Sequence, residues 1–290
     1  SVRIVLNSSR GMPPEVAYWV DESASFDQFG NYTPRPKAEV IAAFRALMAK
    51  NEEIIRSKTL AWWLESEDFL KVDRRGRVSP ALDLGECRNV HAPTVETAFG
   101  LTRIASLDLA QGTLSENLLL SNVETIYASP TSLYLATPYY WWDADHRDTD
   151  FTYIHKFDIR EPGVAKYLGS GGVEGTLINQ FAMDESDDHL RIATTVTRYC
   201  DDGGIPGTVG VATSESSAAL TQTPCPPMSE ILFNQVAVLA SADGVLKEVG
   251  KTQPLAPGER IYSVRFAGDR GFMVTFRQVD PLFTLDLSDH

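Results

Sequence analysis

Cysteine is scarce in this sequence, basic charge is in deficit, and no apolar run is long. Three cysteines in 290 residues exclude a disulfide-dense scaffold. With no CxxC pair and no histidine at ligand spacing they also give no zinc-binding pattern. Twenty-six Lys and Arg against 39 Asp and Glu leave a formal charge of −13, which argues against a broad basic face for nucleic acid. The longest apolar stretches, such as residues 60–64 (LAWWL), fall far short of the roughly 18–20 residues that cross a bilayer, so no transmembrane segment is expected. The five histidines, at positions 91, 146, 155, 189 and 290, form no HExxH pair, and no GxSxG elbow marks a serine hydrolase. Neither a signal peptide nor an initiator Met stands at Ser1, and the expectation is a mature or excised segment cut at both ends.

What is present describes a folded protein: 43% hydrophobic, 10% aromatic and 22% charged residues sit near the averages for globular chains. Residues 1–7 alternate as a short strand. Val40, Ile41, Phe44, Leu47, Met48, Ile54 and Ile55 then recur at three- and four-residue spacing, which predicts a helix over 37–57 with its apolar stripe docked inward and its charged face in solvent. From about residue 102 the helical period gives way to short β-rich runs punctuated by Gly, Asp, Ser and Pro.

These runs repeat. Segments 124–137, 179–195 and 259–276 each read as strand, tight polar turn, strand. A loop and a third strand follow, with endings at residues 109, 159, 240 and 287, and a fourth strand then begins at Gly163 and again at Gly244. The first and last intervals between endings are about 50 residues and the middle one about 80, and four strands at a period near 50 is the pattern of β-propeller blades. The excess coincides with a Gly/Ser/Thr-rich stretch at about 198–227 bracketed by Cys200 and Cys225. A disulfide between these two would close a loop of about 25 residues, stabilise the fold by roughly 3 kcal/mol and mark an extracytoplasmic protein; three unrelated thiols are the alternative. The expected fold is all-β, a partial β-propeller of four-stranded antiparallel blades with one surface helix near 37–57. Residues 1–100 would hold a first-blade remnant with a helical insertion, and 101–290 about three blades.

The strings at 51–60 (NEEIIRSKTL), 127–130 (YASP), 153–159 (YIHKFDI), 177–184 (LINQFAMD), 256–266 (APGERIYSVRF), 268–270 (GDR) and 274–283 (VTFRQVDPLF) carry a family resemblance. The chain resembles bacterial and archaeal secreted proteins with a C-terminal β-propeller domain distantly related to WD-40 repeats. The resemblance implies a secreted or envelope-attached propeller of unassigned activity whose blades continue beyond both termini.

Candidate binding residues fall in loops. Arg277, Gln278 and Asp280 lie between two expected strands, where Arg suits bidentate recognition of carboxylates, unless Arg277 and Asp280 pair internally. Tyr140, Trp141 and Trp142, with Tyr139, offer aromatic area for a protein or carbohydrate ligand, or merely cap a blade edge. Asp143, Asp145, Asp148 and Asp150 give oxygen density that Ca²⁺ could use, although the Gly and terminal Glu of an EF-hand are missing. No other cofactor is implied. The glycine-rich stretch 169–175 reads as a turn, since no helix follows to bind a phosphate. The functional expectation is an extracellular or cell-envelope binding or scaffold module; the alternative is a propeller-hosted hydrolase or redox enzyme with a channel active site.

Overall fold

The computed structural model describes residues 1–8, 12–20, 35–59, 62, 70–72, 75–80, 89–94, 100–139, 149–198, 227, 231–276 and 282–288. The chain divides into two compact units, residues 1–7 with 88–290, and residues 8–87. β1 (Val2–Ser8) opens the chain. The second unit then carries α1 (Lys37–Ser57) and the hairpin of β2 (Leu70–Val72) and β3 (Val78–Pro80). The first unit resumes with β4 (Val90–His91), β5 (Leu101–Asp108) and β6 (Thr113–Leu119). It continues through β7 (Thr125–Ala128), β8 (Ser132–Tyr139), β9 (Phe151–Asp158) and β10 (Lys166–Glu174). Next come β11 (Met183–Ser186), β12 (His189–Thr197), β13 (Leu232–Ala242) and β14 (Val245–Lys251), and last β15 (Arg260–Ala267), β16 (Arg270–Phe276) and β17 (Leu282–Asp286).

Helix α1 covers the predicted residues, with Glu39 in its first turn and Arg56 in its last, each favourable for the helix dipole. Its stripe is less covered than the spacing predicts. No α1 residue is fully buried; Val40, Phe44, Leu47, Ile54 and Ile55 are half-buried and Met48 is 67% exposed. Among the described residues of its unit, the ring of Trp19 meets Phe44 edge-on at 6.4 Å, and the Asn51 amide brackets the backbone of Ala17.

The first unit is a row of blades. Blade one has the strand order β1-β5-β6-β4, blades two and three are the meanders β7-β8-β9-β10 and β11-β12-β13-β14, and blade four is β15-β16-β17. Tight turns with positive φ close the hairpins, at Asp187-Asp188 and at Asp243-Gly244, the conformation that matches strand twist and that Asp and Gly tolerate best. Because side chains alternate between the faces of a strand, each blade offers one apolar row to each neighbour. Blades one and two bury Ile104, Leu119 and Val123 with Leu133, Leu135 and Phe157. Blades two and three bury Tyr134, Ala136 and Ile154 with Leu190, Ile192 and Leu239. Blades three and four bury Ala193 and Val236 with Ile261, Val264 and Met273.

The glycine-rich stretch read as a turn is strand β10. It is glycine-rich because the outer strands of blades two and three touch, pairing in parallel at Ser170 and Val245. A Cβ on Gly171 would lie 2.1 Å from the Leu246 carbonyl oxygen, and one on Gly169 would lie 2.2 Å from that of Gly244. Only glycine permits that approach of two backbones.

Candidate functional site

Strand direction decides which loops share a surface. β10 and β14 run parallel, so the meanders of blades two and three have the same polarity, and their second-to-third-strand connections leave from the same end. An isolated bridge between Thr149 and Arg198 ties the close of one connection to the start of the other. In blade four the start of β15 lies beside the end of β12, since Ile261 N donates to Thr195 Oγ1 at 3.2 Å and Gly258 N to Leu232 O at 2.6 Å. β16 runs back antiparallel and ends there too. In blade one the start of β1 is held at the far end, where Arg3 donates to the carbonyls of Ile159, Glu161 and Val164. The end of β1 is at the shared end, where Thr102 Oγ1 donates to Asn7 Oδ1 at 2.7 Å. All four second-to-third connections therefore depart from one end of the row.

Polar clasps fix these exits. In blade one, where β1 and β5 take the places of second and third strand, Asn7 on β1 accepts from Thr102 on β5 and donates to the carbonyl of Val123, just ahead of the next blade. In blade three the residue types are exchanged. Thr195 on the second strand donates to Asn234 on the third at 2.8 Å, and the Asn234 amide donates to Glu259 O ahead of blade four. A pocket of about 160 Å³ opens at the same end, lined by Glu124, Thr125, Pro138, Thr152, Thr176 and Leu177 among others.

The sequence candidates map to these connections. Tyr140, Trp141, Trp142, Asp143, Asp145 and Asp148 belong to the β8–β9 connection, Cys200 and Cys225 to the β12–β13 connection, and Arg277, Gln278 and Asp280 to the β16–β17 connection; all lie outside the described residues. Asp150 is described. It is buried, and its carbonyl accepts from Gly175 N at 2.6 Å. Among the described residues no three His, Cys, Asp or Glu side chains gather closely enough to hold a metal.

One cluster escaped the sequence reading. At the opposite end, between blades two and three, Glu185 accepts hydrogen bonds from the hydroxyls of Ser129, Thr131, Ser132 and Tyr134, and its own N–H donates to Tyr127 OH. Lys156 reaches Asp188 at 2.5 Å and Glu185 at 3.5 Å. Burial pushes the Glu185 carboxyl upward, but the hydroxyl donors outweigh it and hold the pKa below the usual carboxylate value. Burial and the adjoining carboxylate push the Tyr134 phenol well above its ordinary value. The signal that could have found the cluster is Lys156 itself, a charge inside the apolar run of residues 153–159.

The row of blades has a counterpart among known families. The model of the beta propeller domain family matches residues 21–290. The chain belongs to the beta propeller domain family. An uncharacterized protein of Archaeoglobus fulgidus is similar to this propeller, 36% identical over 150 residues that make up 50% of this chain and 18% of that protein. An uncharacterized protein of Methanocaldococcus jannaschii is 34% identical over 141 residues, 47% of this chain and 18% of its own length. The matched stretches thus cover under a fifth of the length of these curated relatives. Among the described residues no helix is long and apolar enough to cross a membrane.

Proposed function

We propose that this propeller is a binding or scaffold module working outside the cytoplasm, and that it engages a protein or carbohydrate ligand at the end of the blades from which the four connections leave. The observation that carries the reading is the shared exit. Sheet polarity and the Thr149–Arg198 bridge set the described strand ends on one side, and the connections that leave those ends hold the aromatic, acidic and arginine-bearing segments in sequence. Loops presented together by rigid strands are where β scaffolds build recognition surfaces. Tyr140, Trp141 and Trp142 would supply aromatic area, Arg277 and Gln278 the polar contacts, and Asp143, Asp145 and Asp148 a place for Ca²⁺. Export is supported by the resemblance to secreted WD-40-like propellers and by the Cys200–Cys225 spacing. A glycan array, probed with and without Ca²⁺, tests the reading. At least one bound glycan should be lost when Tyr140, Trp141 and Trp142 are changed together to Ser; an array pattern that neither this triple substitution nor Arg277→Ala alters would sink it. Non-reducing mass spectrometry should find Cys200 and Cys225 joined, and two free thiols would remove that support for export.

A further inference from the structure

A second cleft, toward the opposite end of blades one and two, has a volume of about 430 Å³, within the range of small-ligand sites. One wall is β6 with β4, contributing Asn89, His91, Ser115, Glu116 and Asn117; the other is the β9–β10 turn and the start of β10, contributing Asp158, Arg160, Glu161, Lys166 and Tyr167. Its floor is held in place. His91 stacks on Tyr167 with ring centroids 4.4 Å apart. The Asn117 carboxamide accepts from His91 Nε2 at 3.0 Å and donates to Ala165 O at 2.8 Å, while Ser115 donates to Gly163 O. Phe157 and Ala165 of the blade interface lie behind. A floor whose polar groups are already paired is rigid before any ligand arrives.

We propose that this cleft is a saccharide site that takes a neutral sugar ring. Its charges balance. Asp158 pairs with Arg160 at 2.5 Å and Glu116 lies 3.7 Å from Arg103, so neither a phosphate nor a cationic ligand meets a surplus of opposite sign. Three lining groups make no side-chain hydrogen bond or ion pair among the described residues: the Asn89 amide, the Glu161 carboxylate and the Lys166 ammonium. They offer a donor and acceptor together, an acceptor, and a donor. Sugar hydroxyls both donate and accept, which matches that mixture, and the apolar C–H face of a sugar suits the His91–Tyr167 pair. The proposal stands apart from the blade-end reading, because it uses none of the same residues.

The test uses the whole 290-residue chain with methyl glycosides of glucose, galactose, mannose and N-acetylglucosamine, and with glucuronate and glucosamine as charged comparators. Saturation-transfer NMR and calorimetry should detect at least one neutral glycoside. Asn89→Ala combined with Lys166→Met should weaken it about tenfold or more, the loss expected from two hydrogen bonds. Both positions are peripheral, and an unchanged circular dichroism spectrum would confirm folding. The triple Ser variant at Tyr140, Trp141 and Trp142 should leave this binding intact. No neutral glycoside bound, a preference for a charged sugar, undiminished affinity in the double variant, or loss in the triple variant would each overturn the proposal.

Discussion

Lys156 of β9 and Glu185 of β11 stand 3.5 Å apart with side chains 1% and 5% exposed, a charge pair shut between two blades. Removing Glu185 leaves the buried Lys156 ammonium with Asp188 alone among the described carboxylates and takes the anionic acceptor from four hydroxyls. Glu185→Gln should therefore cost about 3 kcal/mol in chemical denaturation, and Lys156→Met added to it should recover part of that loss. Additive losses in the double-mutant cycle would show the pair uncoupled. The lowered Glu185 pKa adds a sign: its stabilisation is complete above the unfolded carboxylate pKa and fades as pH falls below it.

His155 predicts a second pH dependence. Its ring is fully buried, Nδ1 meets Tyr167 OH at 3.2 Å, and Nε2 has no partner among the described residues. Burial first, and His91 second, lower its pKa to about 4. The unfolded histidine takes a proton near pH 6.5, so this contribution is fully present above that pH and declines as pH falls toward 4, by about 3 kcal/mol in all. His155→Phe should flatten the denaturation midpoint across that window relative to the parent chain. An unchanged slope in the variant would show that other groups carry it.

Neighbouring glycines should respond in opposite directions. Gly171→Ala puts a methyl 2.1 Å from the backbone oxygen of Leu246, whereas at Gly172 the nearest atom is a Tyr153 ring carbon at 3.7 Å. The first substitution has to part β10 from β14 and should cost more than about 2 kcal/mol. The second stiffens a strand without a clash and should be neutral or stabilising by up to about 1 kcal/mol. Thermal melts of the two variants decide it; equal effects would mean that the blades do not touch there.

The β12–β13 connection should be dispensable for folding. Pairing of the two strands extends to Thr197 with Leu232, and Arg198 N donates to Ile231 O at 2.7 Å. Under reducing conditions, replacing residues 199–230 by a short Asn-Gly turn should keep unfolding cooperative and stabilise the fold by roughly 2 kcal/mol, because each halving of a loop's length saves about 0.6 kcal/mol of closure entropy. Loss of cooperative unfolding would place the connection in the folded core.

Much of the architecture was legible because it repeats: the strand–turn–strand segments and the bounds of α1 follow from local spacing. What was not legible depends on a neighbouring blade. Residues 169–175 resemble a turn because the reason for their glycines, the backbone of β14, lies far along the chain. Lys156 looks misplaced until Glu185 arrives from the next blade. The half-covered stripe of α1 shows the converse, since periodicity names the side that turns inward but not how much covers it. Composition and position between expected strands mark the loop candidates, and strand polarity shows that the connections holding them leave from one end.

The exchanged clasps, Asn7 with Thr102 and Thr195 with Asn234, bear on how such a chain diverges. What passes from one blade to another is a bond, with its two partners free to trade strands. Identity counted position by position misses this likeness, because the same bond joins the two strands in both blades with its Thr and Asn exchanged.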